Sequence, residues 1–199
     1  MTTMVEDFKK PDGTWAKTTR SKEGVLSHTR SYRRWNAFMV RCSGKYKYEY
    51  HDFDKYHGTT AVSEDWKGKQ GYQNFVEWHR KQIGYLDNDY VIDKDILGGN
   101  SYSADNCVLV PKTLNLLMSK DQQGRKYQRG VSFHNNKYRA EISFERKSTV
   151  IQCDTEAEAI STYKTLRNEL VDSILERISS GNILVDEKVV SLIKAWKLP

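Results

Sequence analysis

One stretch, Asp87 to Met118, constrains this chain more than any other. Two short apolar runs, Tyr90–Ile92 and Cys107–Val110, flank a polar, glycine-rich loop. β-Branched residues bounded by Asp, Asn and Gly read as strands. Gly98-Gly99-Asn100 is the strongest turn signal in the sequence. Pro111 ends the second run and suits the first turn of a helix, where its missing N–H is no loss. Thr113 to Met118 follows with helix-compatible apolar spacing. The expected order is strand, loop, strand, helix.

Composition bounds the setting. The 199 residues are 38% hydrophobic and 29% charged, enough for one large domain or two small ones. No apolar run approaches the roughly 18 residues of a membrane-spanning helix, so no membrane partner is expected. Met1 to Asp7 lacks the apolar core of a secretory signal. Cys42, Cys107 and Cys153 are widely spaced and form no CxxC pair, which argues against zinc and against a disulfide framework. A reducing cytoplasm is the expected compartment. The net charge of +6 is unevenly spread. One basic block runs from Lys9 to Lys47 and includes Arg30, Arg33 and Arg34. A second holds Arg125, Lys126, Arg129, Lys137, Arg139 and Arg146. Such clustering is the footprint expected of a protein that meets a phosphate backbone.

Taken in order, residues 1–28 read as a flexible basic arm with little apolar periodicity. Tyr32, Trp35, Phe38, Met39 and Cys42 form one stripe of a helix over Ser31 to Cys42. The arginines around it are either a solvated face or phosphate contacts. Residues 44–60 interleave tyrosines with basic residues, a nucleic-acid surface or an irregular cover for the core. His51 and His57 there have no partner at ligand spacing. A second helix is expected over Tyr72 to Ile83, with Gly84 as its C-cap. Residues 121–129 are the best linker, giving a unit at 29–120 and another at 130–199. In the second unit, Asn135-Asn136 signals a hairpin. Tyr138, Ala140, Ile142 and Phe144 alternate with Lys137, Arg139, Glu141 and Ser143. A third strand, Thr149 to Gln152, and a capped amphipathic helix follow. A stripe from Leu184 to Trp196 is expected to pack back on this unit, or to make a dimer contact, so the chain is a monomer or a weak homodimer.

The stretch from Asp87 to Met118 resembles the phage and intron-encoded HNH, or His-Me finger, endonucleases. Asp93-Lys94 stands where that family has Asp-His, Gly99-Asn100 matches its loop, Asn106 its pre-strand Asn and Asn115 its helix position. With the aromatic segment from Trp35 to Trp78, the resemblance covers roughly residues 30–118. It implies a ββα-metal fold, cleavage of double-stranded DNA, and Mg²⁺ or Mn²⁺ held by the oxygen donors Asp93 and Asn115. It implies catalytic roles for Lys94, Asp95 and Asn106. Lys94 departs from the pattern, since lysine with an ordinary pKa near 10.4 is a poor base. The base is then a Lys94 altered by burial or metal, or Asp95, or water activated by the metal alone.

Residues 130–170 resemble the Apetala-type DNA-binding domain that accompanies HNH motifs in phage endonucleases, on Lys137-Tyr138-Arg139-Ala140 and Thr155-Glu156-Ala157-Glu158-Ala159 with Tyr163. The implied fold class is α+β: a ββα-metal nuclease unit, then a small three-stranded sheet plus helix for DNA binding. Arg139 and Arg146 would read or hold DNA from the strands. Two functions stay open. One is a metal-dependent endonuclease, of the homing kind or not, working in the host cytoplasm if phage-encoded. The other is a catalytically degenerate DNA-binding or inhibitory protein on the same fold.

Overall fold

The computed structural model describes residues 5–43, 61–119 and 126–197. The tyrosine-rich stretch with His51 and His57, Arg125, and most of the expected linker lie outside the described residues. Aromatic packing organises the first part. α1 (Arg30–Ser43) buries Trp35 and Phe38. The Trp35 indole N–H donates to the Trp66 carbonyl at 2.8 Å. Trp66 closes a single 3-10 turn, Glu64–Trp66, whose Ser63 side chain accepts from the Asp65 N–H. α2 (Gly68–His79) starts directly after it. A Cβ on Gly71 would lie 2.2 Å from the Trp66 carbonyl carbon, so only glycine permits this approach of helix to turn. The helix ends at His79, with Arg80 as its cap, rather than running to Ile83. Gly84, expected as the C-cap, instead takes its positive φ in the following turns.

The expected flexible arm is a correction. Residues 5–29 are built onto the core, with β1 (Thr18–Arg20) and β2 (Leu26–His28) forming an antiparallel hairpin. Val5 bridges Thr29, and Lys9 bridges Trp15. The physical reason is a buried polar chain that composition could not reveal. Asp7 accepts from the Ser31 N–H at 3.0 Å, from the Ser31 hydroxyl at 2.5 Å and from the Tyr85 hydroxyl at 2.6 Å. Ser31 Oγ lies 2.7 Å from His79 Nδ1, and Arg34 Nη1 lies 3.0 Å from His79 Nε2. Guanidinium only donates, so His79 Nε2 is the acceptor and its Nδ1–H donates to Ser31. Each buried polar group is thereby satisfied, which is what keeps the segment in place.

The central stretch folds in the expected order. β4 (Tyr90–Asp93) pairs antiparallel with β6 (Val108–Pro111), and α3 (Lys112–Met118) follows at once. Pro111 closes the strand and serves as the helix N-cap position. Within the loop, β5 (Ser101–Tyr102) pairs in parallel with β3 (Ala61–Val62), tying the loop to the aromatic core.

The C-terminal sheet is β7 (Val131–His134), β8 (Lys137–Phe144) and β9 (Lys147–Cys153) in that order, all antiparallel. Asn135-Asn136 and Glu145-Arg146 join them with positive φ at both residues, as two-residue hairpin turns that match strand twist require. Arg146, expected on a strand, therefore sits in a turn. α4 (Glu156–Ser179) is capped by Thr155, which accepts from the Glu158 N–H. Ala140, Cys153, Ala159 and Tyr163 share one core between helix and sheet. A Cβ on Gly130 would lie 2.0 Å from Tyr163, so β7 begins under that ring only because residue 130 is glycine.

The fold is mixed α+β, but the units at 29–120 and 130–199 do not separate as expected. Val108, Val110, Leu114 and Leu117 share one core with Val171 and Ile174 of α4 and with Val189 and Ile193 of α5 (Glu187–Ala195). The tail stripe thus packs on the central hairpin and α3, not on its own sheet alone. Nor is all of 121–129 a free linker. Arg129 donates to the carbonyls of Leu116, Leu117 and Ser119, unsatisfied groups at the end of α3.

Two outcomes follow. Burial first, then the charges of Arg34 and Arg30, push the His79 pKa from 6.5 down to about 2. The folded value is the lower one, so this contribution is complete above the unfolded pKa of about 6.5 and is lost as pH falls toward 2. Urea unfolding midpoints measured from about pH 7 to 4 should fall more steeply for the natural chain than for His79→Gln. Parallel curves would refute the assignment. Arg129→Ala should lower stability by about 1–3 kcal/mol in the same assay, because it leaves α3 carbonyls without their charged donor.

Candidate functional site

The site expected at the end of β4 is built by the loop that follows it. Asp93 Oδ1 accepts from the Asp95 N–H at 2.7 Å and the Ile96 N–H at 2.6 Å. These bonds turn the chain out of the strand and fix the carboxylate. Burial raises the Asp93 pKa, and the two backbone donors oppose that rise. Asn106 lies on the far side of the loop. Its Nδ2 donates to Ser101 Oγ at 2.9 Å, and its own N–H is 3.2 Å from Ser103 Oγ. A Cβ on Gly99 would be 2.6 Å from Asn106 Cγ. Asn106 therefore staples the loop by contact with Gly99 and by hydrogen bonds to Ser101. Asn115 is half-buried on α3, next to the buried Leu114.

Lys94 points the other way. It is only 6% exposed, its Nζ lies 2.6 Å from Asp95 Oδ1, and the Tyr102 ring centre is 6.0 Å away. Tyr102 in turn stacks on Phe38 at 4.6 Å and accepts from Arg41 at 3.2 Å. Burial pushes the Tyr102 pKa up to about 12, against the opposing pull of Arg41. A lysine donating to a carboxylate is occupied as a donor, and the partnered Asp95 is correspondingly occupied as an acceptor. Both are structurally committed in this arrangement. Ser101 and Tyr102, which hold Asn106 and face Lys94, were not singled out from the sequence. A two-residue strand carries no periodicity that could have found them.

The residues expected to meet DNA divide sharply. Arg30 is 7% exposed and donates to Asn88 Oδ1 at 2.7 Å. Arg34 is held by His79 and by the Asp87 carbonyl at 2.8 Å, and burial pushes its pKa down to about 10. Arg129 caps α3. These three make internal ties, in addition to the phosphate contacts expected of them from the sequence. The cause is local: each arginine lies beside backbone carbonyls or buried acceptors that need a donor. Arg33 is exposed on α1, and Lys126 is exposed beside the Tyr127 ring at 5.1 Å. Lys137 is paired with Asp154, which raises its pKa. Arg139 lies on the β8 face opposite Ala140, aligned with Ser132 on β7 and Gln152 on β9. Glu141 accepts from Ser148 at 2.9 Å on the same face. α4 covers the Ala140 face, so Arg139, Glu141, Ser132 and Gln152 belong to the uncovered one.

A second constellation, Asp7–Ser31–His79, has the residue types of a hydrolase. Its order is wrong for one, because the serine hydroxyl stands between the acid and the histidine. Ser31 and His79 are also 0% exposed. It is a structural tie. Among the described residues, no group of three His, Cys, Asp or Glu side chains could hold a metal ion.

The staple is testable by a double-mutant cycle. Gly99→Ala should destabilise by forcing Asn106 aside, and Asn106→Ala by removing the bonds to Ser101. The pair should cost less than the sum, by about 0.5 kcal/mol or more, because both act through one contact. Strict additivity in urea melts would show that the two residues do not act together.

No family model, no curated protein and no solved structure matches this chain.

Proposed function

We propose that the chain binds duplex DNA and cuts it as a metal-dependent endonuclease of the HNH kind. The observation that supports cleavage is the assembly of Asp93, the Gly99–Asn106 loop and Asn115 on one antiparallel hairpin and its following helix. Asp93 and Asn115 are hard oxygen donors, the type that suits Mg²⁺ or Mn²⁺. Asp93 and Asn115 would hold such an ion, with its remaining ligands supplied by water and substrate phosphate. When bound, it would supply charge neutralisation at the scissile phosphate. The protein's own part is positional. The backbone donors of Asp95 and Ile96 fix the Asp93 carboxylate, and Asn106 keeps the loop rigid. The uncovered sheet face, with Arg139 and Glu141 beside Ser132 and Gln152, offers the mixed donors and acceptors that reading base edges requires.

A specific observation favours the second reading, DNA binding without cleavage. Lys94 Nζ is occupied by Asp95 and buried, so the position of the family's general base holds no free base. The deciding experiment is incubation of supercoiled plasmid with the full chain and Mg²⁺ or Mn²⁺. Nicking that is lost in Asp93→Ala with DNA affinity kept would establish a nuclease, because the carboxylate serves the transition state and not duplex binding. Lys94→His should raise the rate, since an imidazole with a pKa near 6.5 is a competent base. Absence of nicking by both the natural chain and Lys94→His, with duplex binding intact, would leave the binding protein as the function.

A further inference from the structure

We infer that the β1–β2 hairpin is a wedge that enters the minor groove of duplex DNA and bends it, an inference that rests on the DNA-binding reading above. Scattered exposed apolar residues are ordinary on protein surfaces. Here two are consecutive in one hairpin: Val25 is 61% exposed and Leu26 49%. They follow Gly24, which takes a φ of 82° in the loop. Among the described residues the hairpin is a sheet of two strands, and no third strand pairs with it.

Their surroundings are cationic. Arg20 is the cross-strand partner of Leu26, and Lys22 and His28 are exposed on the same hairpin, with Glu23 as its acid. Arg33 is exposed on the adjoining α1. An apolar tip ringed by cations complements a groove walled by phosphates. Proteins that kink DNA insert apolar side chains such as leucine between base steps while cations hold the backbone.

A wedge must also be rigid, since a loose tip would yield instead of unstacking bases. The loop is closed by Ser21 N–H to the Val25 carbonyl and Gly24 N–H to the Ser21 carbonyl, both at 3.0 Å. Arg20 Nη1 donates to the Gly24 carbonyl at 3.1 Å. At the base, the buried Thr29 donates its N–H to the Lys17 carbonyl at 3.0 Å. The Tyr72 hydroxyl donates to the Ala16 carbonyl at 2.7 Å, tying the hairpin to α2. The tip is thus exposed while its root is built into the aromatic core.

The test uses the full chain and a duplex of about 30 base pairs with a central TpA step, which unstacks readily, and donor and acceptor dyes on its ends. At saturating protein, energy transfer should rise as the ends approach. The Val25→Ser, Leu26→Thr double variant should bind within about threefold of the natural affinity. Its rise in transfer should be less than half that of the natural chain. Both side chains are exposed, and unchanged circular dichroism and melting would show that the variant folds. Saturating binding with no change in transfer, or equal bending by the variant, would overturn the wedge while leaving DNA binding standing. Failure of the natural chain to bind this or any duplex at low salt would instead overturn the DNA-binding reading, and the wedge with it.

Discussion

The apolar contact between the central hairpin and the C-terminal helices holds α3 in place and joins the hairpin to α4 and α5. Leu114 and Leu117 on α3 share a core with Val171 and Ile174 on α4 and with Val189 and Ile193 on α5. α3 is only seven residues long, too short to persist without packing. Its burial against α4 and α5 is what allows it to stand behind β4 and β6 and to hold Asn115 in place. α4 reaches the hairpin with one part of its length and the sheet with another, through Ala159 and Tyr163. A change in the sheet and a change in the hairpin therefore act on one helix.

Polar ties do the corresponding work where apolar surface runs out. Arg30, Arg34 and Arg129 each meet a carbonyl or a side-chain acceptor. A buried donor without a partner costs as much as a lost hydrogen bond or more, so these pairings stabilise chiefly by leaving no acceptor unmet. The consequence for charge is simple. Arg30, Arg34 and Arg129 are committed to internal bonds, whereas Arg20, Lys22, Arg33 and Arg146 are exposed on a hairpin, a helix flank and a sheet turn.

Elements with a strong local signal were legible in the sequence. The alternation from Lys137 to Phe144, the Asn-Asn turn and the Thr155 cap each depend on neighbours in the chain, and each is found where expected. The same holds for the strand–loop–strand–helix order around Pro111. What could not be read was long-range. Nothing near Asp7 announces that it will meet Ser31 and Tyr85, so residues 5–29 read as an arm. Nothing near Arg129 announces the end of α3. In the candidate site, Asp93, Asn106 and Asn115 were singled out through the family resemblance, and Asp93 and Asn106 are found with their side chains held by hydrogen bonds of the loop. The turn of Lys94 toward Tyr102 was not legible, because Lys94 lies in the bend after β4 and Tyr102 approaches it from the far end of the loop.

That inward turn sets Lys94 apart from the rest of the loop. The β8 face opposite Ala140 and the β1–β2 hairpin owe nothing to Lys94. Asp93 and Asn106 are half-buried and held by the loop's own bonds. A change at position 94 therefore leaves the hydrogen bonds of Asp93 and Asn106 as they are. Lys94 even adds to the scaffold, since it is buried and its ammonium is paired with the Asp95 carboxylate. The loop that holds Asp93 and Asn106 and the exposed sheet and hairpin are thus different parts of one fold, and the core that α3 shares with α4 links the first of them to the sheet.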